Sequence, residues 1–149
     1  MTKERFISYW HQINEVRSLK PEKVLEIGIG NGFVSKYLKE RGLDVIILDI
    51  LNELKSDITV CVLSIPFLSE SFDIATCFEV LEHLPYSDFK KALKEIRRVS
   101  KKHVILSLPD HTYVYRFDIE LPRSNLSKNL SRTLFQNLLL TNMMVCTIG

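Results

Sequence analysis

Within Val24-Leu25-Glu26-Ile27-Gly28-Ile29-Gly30-Asn31-Gly32-Phe33-Val34-Ser35 an apolar run meets three alternate glycines and then turns helical. Val24, Leu25, Ile27 and Ile29 form the short, nearly continuous apolar run of a parallel strand covered on both faces. The glycines permit a tight turn in which backbone approaches a ligand with no Cβ in the way. Beyond it, Phe33, Val34, Tyr37 and Leu38 recur at helical spacing, largely opposite Lys36, Lys39, Glu40 and Arg41. Strand, glycine turn and helix in that order predict an α/β chain with its ligand at the carboxyl end of a central strand.

Length and composition fit this reading. The 149 residues suit one domain, 1–149, and 46% hydrophobic with 26% charged residues can support a core. A net charge of +2, with basic residues scattered beside acids, gives no argument for nucleic acid or an anionic membrane as partner. The apolar runs are strand-sized, short of the roughly 20 residues that cross a bilayer. Thr2-Lys3-Glu4-Arg5 is unlike a signal peptide, so the expected location is cytoplasmic. Cys61, Cys77 and Cys146 lie far apart with no C-x-x-C pair, which indicates neither a disulfide framework nor a thiolate zinc site.

Taken in order, residues 3–18 predict an amphipathic helix with Phe6, Tyr9, Trp10, Ile13 and Val16 as its packing stripe, interleaved with polar residues such as Arg5 and Gln12. A core follows over 22–108. Leu43 to Ile50 is a second buried strand ending at Asp49, roughly 20 residues past the turn, where a carboxylate accepts hydrogen bonds from vicinal ribose hydroxyls or caps a helix. Asp57 to Val62, Ile74 to Phe78 and His103 to Leu108 read as strands three to five, and a helix from Pro85 buries Phe89, Ala92, Leu93, Ile96 and Val99. Strands alternating with helices imply a doubly wound, mainly parallel sheet of about five strands. In the remaining segment, 109–149, the aromatic run His111 to Phe117 lines a pocket or packs as a lid, and Leu126, Leu130, Leu134 and Leu138 suggest a last helix.

The turn spacing is G-x-G-x-G, not the G-x-G-x-x-G of dinucleotide binders. With Glu26 before it, and with Pro66-Phe67, Ser71-Phe72-Asp73-Ile74 and Phe78-Glu79-Val80-Leu81-Glu82-His83-Leu84 downstream, the chain resembles the class I S-adenosylmethionine-dependent methyltransferases, in their type 11 group, over Val24 to Leu108. The resemblance implies a Rossmann-like methyltransferase fold, S-adenosyl-L-methionine as cofactor and a small-molecule acceptor. It implies that Glu26, Gly28, Gly30, Asn31 and Gly32 hold the methionine portion and Asp49 the ribose. Ile50, Cys61, Val62 and Leu63 would hold the adenine, although the family often carries an acid near position 61, and Phe78 and Glu79 would floor the site near the sulfonium. Leading helices in this family often border the active site, which gives Tyr9 and Trp10 a second role. The complete fold adds two strands, one antiparallel, for which the sequence leaves little room. The expectation is therefore a chain truncated at its C-terminus, with the fifth strand as an open edge through which it oligomerises.

Methyl transfer from a sulfonium is an in-line displacement on an activated donor, so positioning supplies much of the catalysis and no strong base is obligatory. A hydroxyl acceptor still gains from one, and His83 and His111 are the candidates. Glu79, Glu82 and His83 form E-x-x-E-H, on one face if helical. Some related enzymes hold a divalent metal with this pattern and many use it for hydrogen bonds or caps, so no metal is assigned. Two alternatives stand beside the methyltransferase reading: a nicotinamide-dependent oxidoreductase, disfavoured by the glycine spacing, and a truncated, non-catalytic methyltransferase-like binding protein.

Overall fold

The computed structural model describes residues 2–108 and the strand at 143–147. Its centre is a sheet whose first five strands, β1 (Lys23–Ile27), β2 (Asp44–Asp49), β3 (Ile58–Thr59), β4 (Phe72–Phe78) and β5 (Ser100–Ser107), pair in parallel in the order β3-β2-β1-β4-β5. Three helices cover it: α1 (Lys3–Ser18), α2 (Phe33–Glu40) and α3 (Tyr86–Val99). Successive side chains of a strand point to opposite faces. Val24, Val45, Ile47, Ile74 and Ile105 therefore pack with Ile13 and Val16 of α1 and Val34 and Leu38 of α2. Their neighbours Leu25, Ile27, Leu48, Ala75, Cys77 and Leu106 pack on the other face with Ala92, Ile96 and Val99 of α3. Both faces are buried, which is why these strands read as apolar runs and not as alternation.

The doubly wound architecture is as the sequence predicts, with differences at the margins. The third strand covers two residues instead of six. Asp57 Oδ2 accepts from the Ile47 amide at 2.8 Å and from Lys39 Nζ at 3.2 Å, which anchors the start of β3 on β2. One further link, the Val60 amide to the Asp49 carbonyl at 2.9 Å, follows before Val62 and Ile65 enter the core on the α3 side. Burial of those two side chains competes with pairing along the edge and wins. At the other margin, β6 (Met143–Thr147) runs antiparallel to β5, from His103 opposite Thr147 to Ser107 opposite Met143. The expectation of an open edge at the fifth strand is thereby corrected, and one antiparallel strand joins the parallel five. His111, the aromatic run after it and the leucines at 126–138 lie outside the described residues.

The charged face of α3 also does more than meet solvent. The Arg98 guanidinium forms a two-pronged pair with Glu95 (2.9 and 2.8 Å) and donates to the carbonyls of Phe67 at 2.6 Å and Ile65 at 2.9 Å, while Glu95 accepts from the Ile65 amide at 3.1 Å. Together these bonds fasten the loop between β3 and β4 onto α3. Among the described residues no helix is long and apolar enough to cross a membrane.

Candidate functional site

The chain leaves β1 toward β2 on one side of the sheet's centre and returns at β4 on the other, so the loops after β1 and β4 diverge and leave a crevice at the strands' carboxyl ends. A cavity of about 1070 Å³ occupies this position. Gly28 extends the β1–β2 pairing through its amide to the Leu48 carbonyl at 2.8 Å, with a left-handed φ of 83°. A Cβ built at Gly28 would collide with Cγ2 of Val80 in the loop after β4. The first glycine therefore serves close approach between two loops as much as a turn. Gly32 has φ 74° and sits at the N-cap of α2, where Asn31 Oδ1 accepts from the Phe33 amide at 3.1 Å.

Asp49, at the end of β2 and only 8% exposed, ties the turn down from the neighbouring strand. Its Oδ2 accepts from the Ile29 amide and its Oδ1 from the Leu51 amide, both at 2.9 Å. Each oxygen keeps a further lone pair on the cavity wall. The acid braces the glycine turn and the β2–β3 loop with a single side chain, a role that spacing alone does not reveal.

Glu26 is the unusual group. It lies next to the carboxyl end of β1, opposite Ile47 of β2 and Thr76 of β4, on the face that α1 and α2 cover. It is 3% exposed, lines the cavity, and its Oε2 has no hydrogen-bond partner. Burial pushes its carboxyl from the ordinary 4.5 up to about 8, against a smaller opposing effect from the Ser35 hydrogen bond and the Lys39 charge. A buried acid with an unsatisfied oxygen beside a cavity can take a hydrogen-bond donor from outside the chain.

Of the sequence-predicted site residues, Glu26, Gly28, Gly30, Asn31, Asp49, Ile50, Cys61, Val62, Phe78, Glu79, Glu82 and His83 all line this one cavity. Gly32 stands behind it as the helix cap, and Leu63 packs on the core of the α3 face instead. The thiol of Cys77 is pushed up to about 12 by burial and is a packing group. The single face that a helical segment would give Glu79, Glu82 and His83 does not form. Glu79 takes a left-handed φ of 53° as β4 ends, and only Leu81–His83 wind into a single 3₁₀ turn. Among the described residues, no group of three or more His, Cys, Asp or Glu side chains is arranged to hold a metal ion.

Helix α1 departs further from expectation. Ile13 and Val16 are buried, but Phe6 and Trp10 are about half exposed, at 49% and 56%. Tyr9 reaches the cavity and stacks on Phe33 of α2 at 5.2 Å between centroids, whereas Trp10 does not border the cavity. The helix instead turns Arg5, Ser8 and Gln12 toward the site. Gln12 is 3% exposed and its Nε2 donates to Ser8 Oγ at 3.3 Å. Sequence reasoning misses these three, which look like ordinary surface polar residues. Their spacing of three and four is the signal that could have found them, a polar stripe running beside the apolar one.

The fold and crevice thus define a Rossmann-like, doubly wound domain with a ligand cavity at its switch point. The methyltransferase domain family matches residues 25–108, more than half of the chain, and the chain belongs to that family. Ubiquinone biosynthesis O-methyltransferases of Pseudomonas fluorescens (strain SBW25) and Paraburkholderia phymatum are 32% and 35% identical to it over 98 residues, in each case covering 50% of this chain and 42% of the relative. The chain spans less than half the length of these curated relatives. Among solved structures, the PH0226 protein of Pyrococcus horikoshii OT3 aligns with TM-score 0.63 at 22% identity, covering 72% of this chain and 54% of that one. Magnesium protoporphyrin IX methyltransferase of Synechocystis PCC 6803, solved with bound SAM, aligns with TM-score 0.58 at 17% identity, covering 72% and 59%. These likenesses establish the fold and leave the nicotinamide alternative without support.

Proposed function

We propose that this single domain binds S-adenosyl-L-methionine in the cavity and transfers its methyl group to a small-molecule acceptor in the cytoplasm. The observation that carries the reading is Glu26: a partnerless carboxyl oxygen, buried on the cavity wall beneath a glycine turn, in a chain of the methyltransferase family. Its carboxyl is suited to the cofactor's ammonium. The turn at 28–32 brings backbone amides to the methionine portion, and the spare lone pairs of Asp49 suit ribose hydroxyls. Ile50, Cys61 and Val62 offer apolar and backbone contacts to the adenine, and Phe78 and Glu79 form the floor.

Charge supports the same assignment. Although the chain carries +2 overall, the acids Glu4, Asp49, Glu79 and Glu82 line the cavity with Glu26, against Arg5 and His83, so the crevice is acidic even with Glu26 protonated. An acidic crevice in a basic chain favours a cationic ligand. Once bound, the cofactor supplies a methyl group on a positively charged sulfur, already activated toward displacement. The protein's task is orientation, and walls from β1, β2, β4 and α1 hold donor and acceptor in line. His83, at the cavity rim, receives the proton of a hydroxyl acceptor, and His111 is the second candidate for that role. An oxygen acceptor accords with the names of the curated relatives.

Calorimetric titration with S-adenosylmethionine and with S-adenosylhomocysteine tests the proposal. A Kd on the order of micromolar is expected for both. Absence of binding by either ligand would refute it. For His83→Ala, the expected result is lower turnover with unchanged cofactor affinity; unchanged turnover removes the base role.

A further inference from the structure

We propose that the cavity takes up its cationic ligand in exchange for a proton: Glu26 holds the proton before the ligand arrives and releases it to solvent as the ligand's ammonium pairs with the carboxylate. This inference rests on the cofactor reading and adds a proton as a linked participant. The balance is simple. The neutral acid loses one proton to buffer, the ammonium keeps its three, and the ion pair replaces an O–H and a solvated cation.

The geometry favours such an exchange because the protein offers Glu26 little to support a charge alone. The residue is 3% exposed, with Oε2 unpartnered. From β4, Thr76 faces it, but the Thr76 hydroxyl donates to the Leu25 carbonyl at 3.3 Å. From β2, Ile47 is apolar, and Asp49 further along has both oxygens engaged by backbone amides. From α2, Ser35 bears on the carboxyl, but its hydroxyl donates to the Gly32 carbonyl at 3.3 Å, and Lys39 is the charged residue that bears on the group. The Lys39 ammonium is itself paired with Asp57 at 3.2 Å. From α1, the neutral Gln12 and Ser8 line the same cavity and bond to each other. Arg5, Glu4, Glu79, Glu82 and His83 border the cavity from α1 and the loop after β4. Burial accordingly lifts the carboxyl to about 8, which keeps it mostly protonated at neutral pH. A ligand ammonium reverses the preference, since an opposite charge in contact favours the carboxylate.

The experiment is isothermal titration of the full chain with S-adenosylhomocysteine in phosphate and in Tris, whose ionisation enthalpies differ, at pH 6, 7 and 8. From a carboxyl near 8, binding should release about 0.9 proton at pH 7 and about 0.5 at pH 8. Apparent affinity should rise about ninefold from pH 6 to pH 7 and about fivefold more by pH 8. Glu26→Gln, which cannot exchange a proton, should bind with no buffer dependence and a flat pH profile. Binding of S-adenosylhomocysteine by the wild-type chain without proton release at pH 7 overturns the inference while leaving the cofactor reading intact. Release of as many protons by Glu26→Gln as by the wild type overturns it as well. If the variant fails to bind, the wild-type proton count decides. Absence of binding at every pH removes the cofactor reading and this inference with it.

Discussion

Gly28→Ala is the sharpest test of how the crevice is built. Two separate penalties apply. Alanine at a φ of 83° costs about 1–2 kcal/mol from backbone sterics. Its Cβ would also occupy the place of Val80 Cγ2, and forcing a packed neighbour aside costs about 1–3 kcal/mol more. The sum is about 2–5 kcal/mol, a large part of the stability of a domain this size. Val80 is half buried against the core of the α3 face, so Val80→Ala alone should cost about 1 kcal/mol. In the double variant the methyl groups no longer compete, and part of the Gly28→Ala penalty should return. Urea unfolding of the wild type, the two single variants and the double variant, at unchanged m, measures the coupling directly. A favourable coupling of about 1 kcal/mol or more is expected. Additivity within about 0.5 kcal/mol would refute the argument that Val80 is what requires glycine at this position.

Three further outcomes follow from the same structure. Glu26→Gln should stabilise the ligand-free protein: with the folded carboxyl near 8 and its ordinary value at 4.5, the folded state binds the extra proton between those values. Stability of the wild type therefore falls as pH rises from 4.5 to 8, by on the order of 3 kcal/mol at pH 7, and thermal melts of the variant at that pH should show the difference. Asp49→Ala strands the Ile29 and Leu51 amides and should cost about 1–3 kcal/mol together with at least roughly tenfold weaker binding of S-adenosylhomocysteine, whereas Asp49→Asn, which retains one acceptor, should lose less in urea unfolding. Asp73 is held down to about 2 by the Lys102 ammonium at 2.9 Å and by the Lys23 and Glu22 amides. Its folded value lies below the ordinary 3.8, so its contribution is complete above about pH 4 and disappears as pH falls toward 2; Asp73→Asn should flatten that limb of an acid titration followed by circular dichroism.

Most of the scaffold is legible in the sequence. Val24 to Ile29, Leu43 to Ile50 and the helical face of Phe33 to Leu38 announce strand, strand and helix because periodicity and turn chemistry act over a few residues. The spacing of the glycines and Asp49 likewise points to one crevice, since the carboxyl ends of adjacent parallel strands must converge there, and the family resemblance adds Glu26 and the run from Phe78 to His83 to it. Element ends are less legible. Competition between pairing and core burial shortens the third strand to Ile58–Thr59, and Glu79 leaves the strand in a left-handed conformation that spacing rules for a helix could not foresee.

The sequence by itself determined the winding of the sheet and the position of the crevice at its switch point, both consequences of local pattern, and the family resemblance added about half of the cavity wall. Tertiary structure alone decided which side of α1 meets the cavity, that Gly28 yields to Val80, that Asp49 braces two loops, and that Glu26 is buried with an oxygen unpartnered. Those facts depend on segments tens of residues apart arriving within a few ångströms of one another, and on the solvent their arrival displaces. Neither quantity is written in the spacing of residues along the chain.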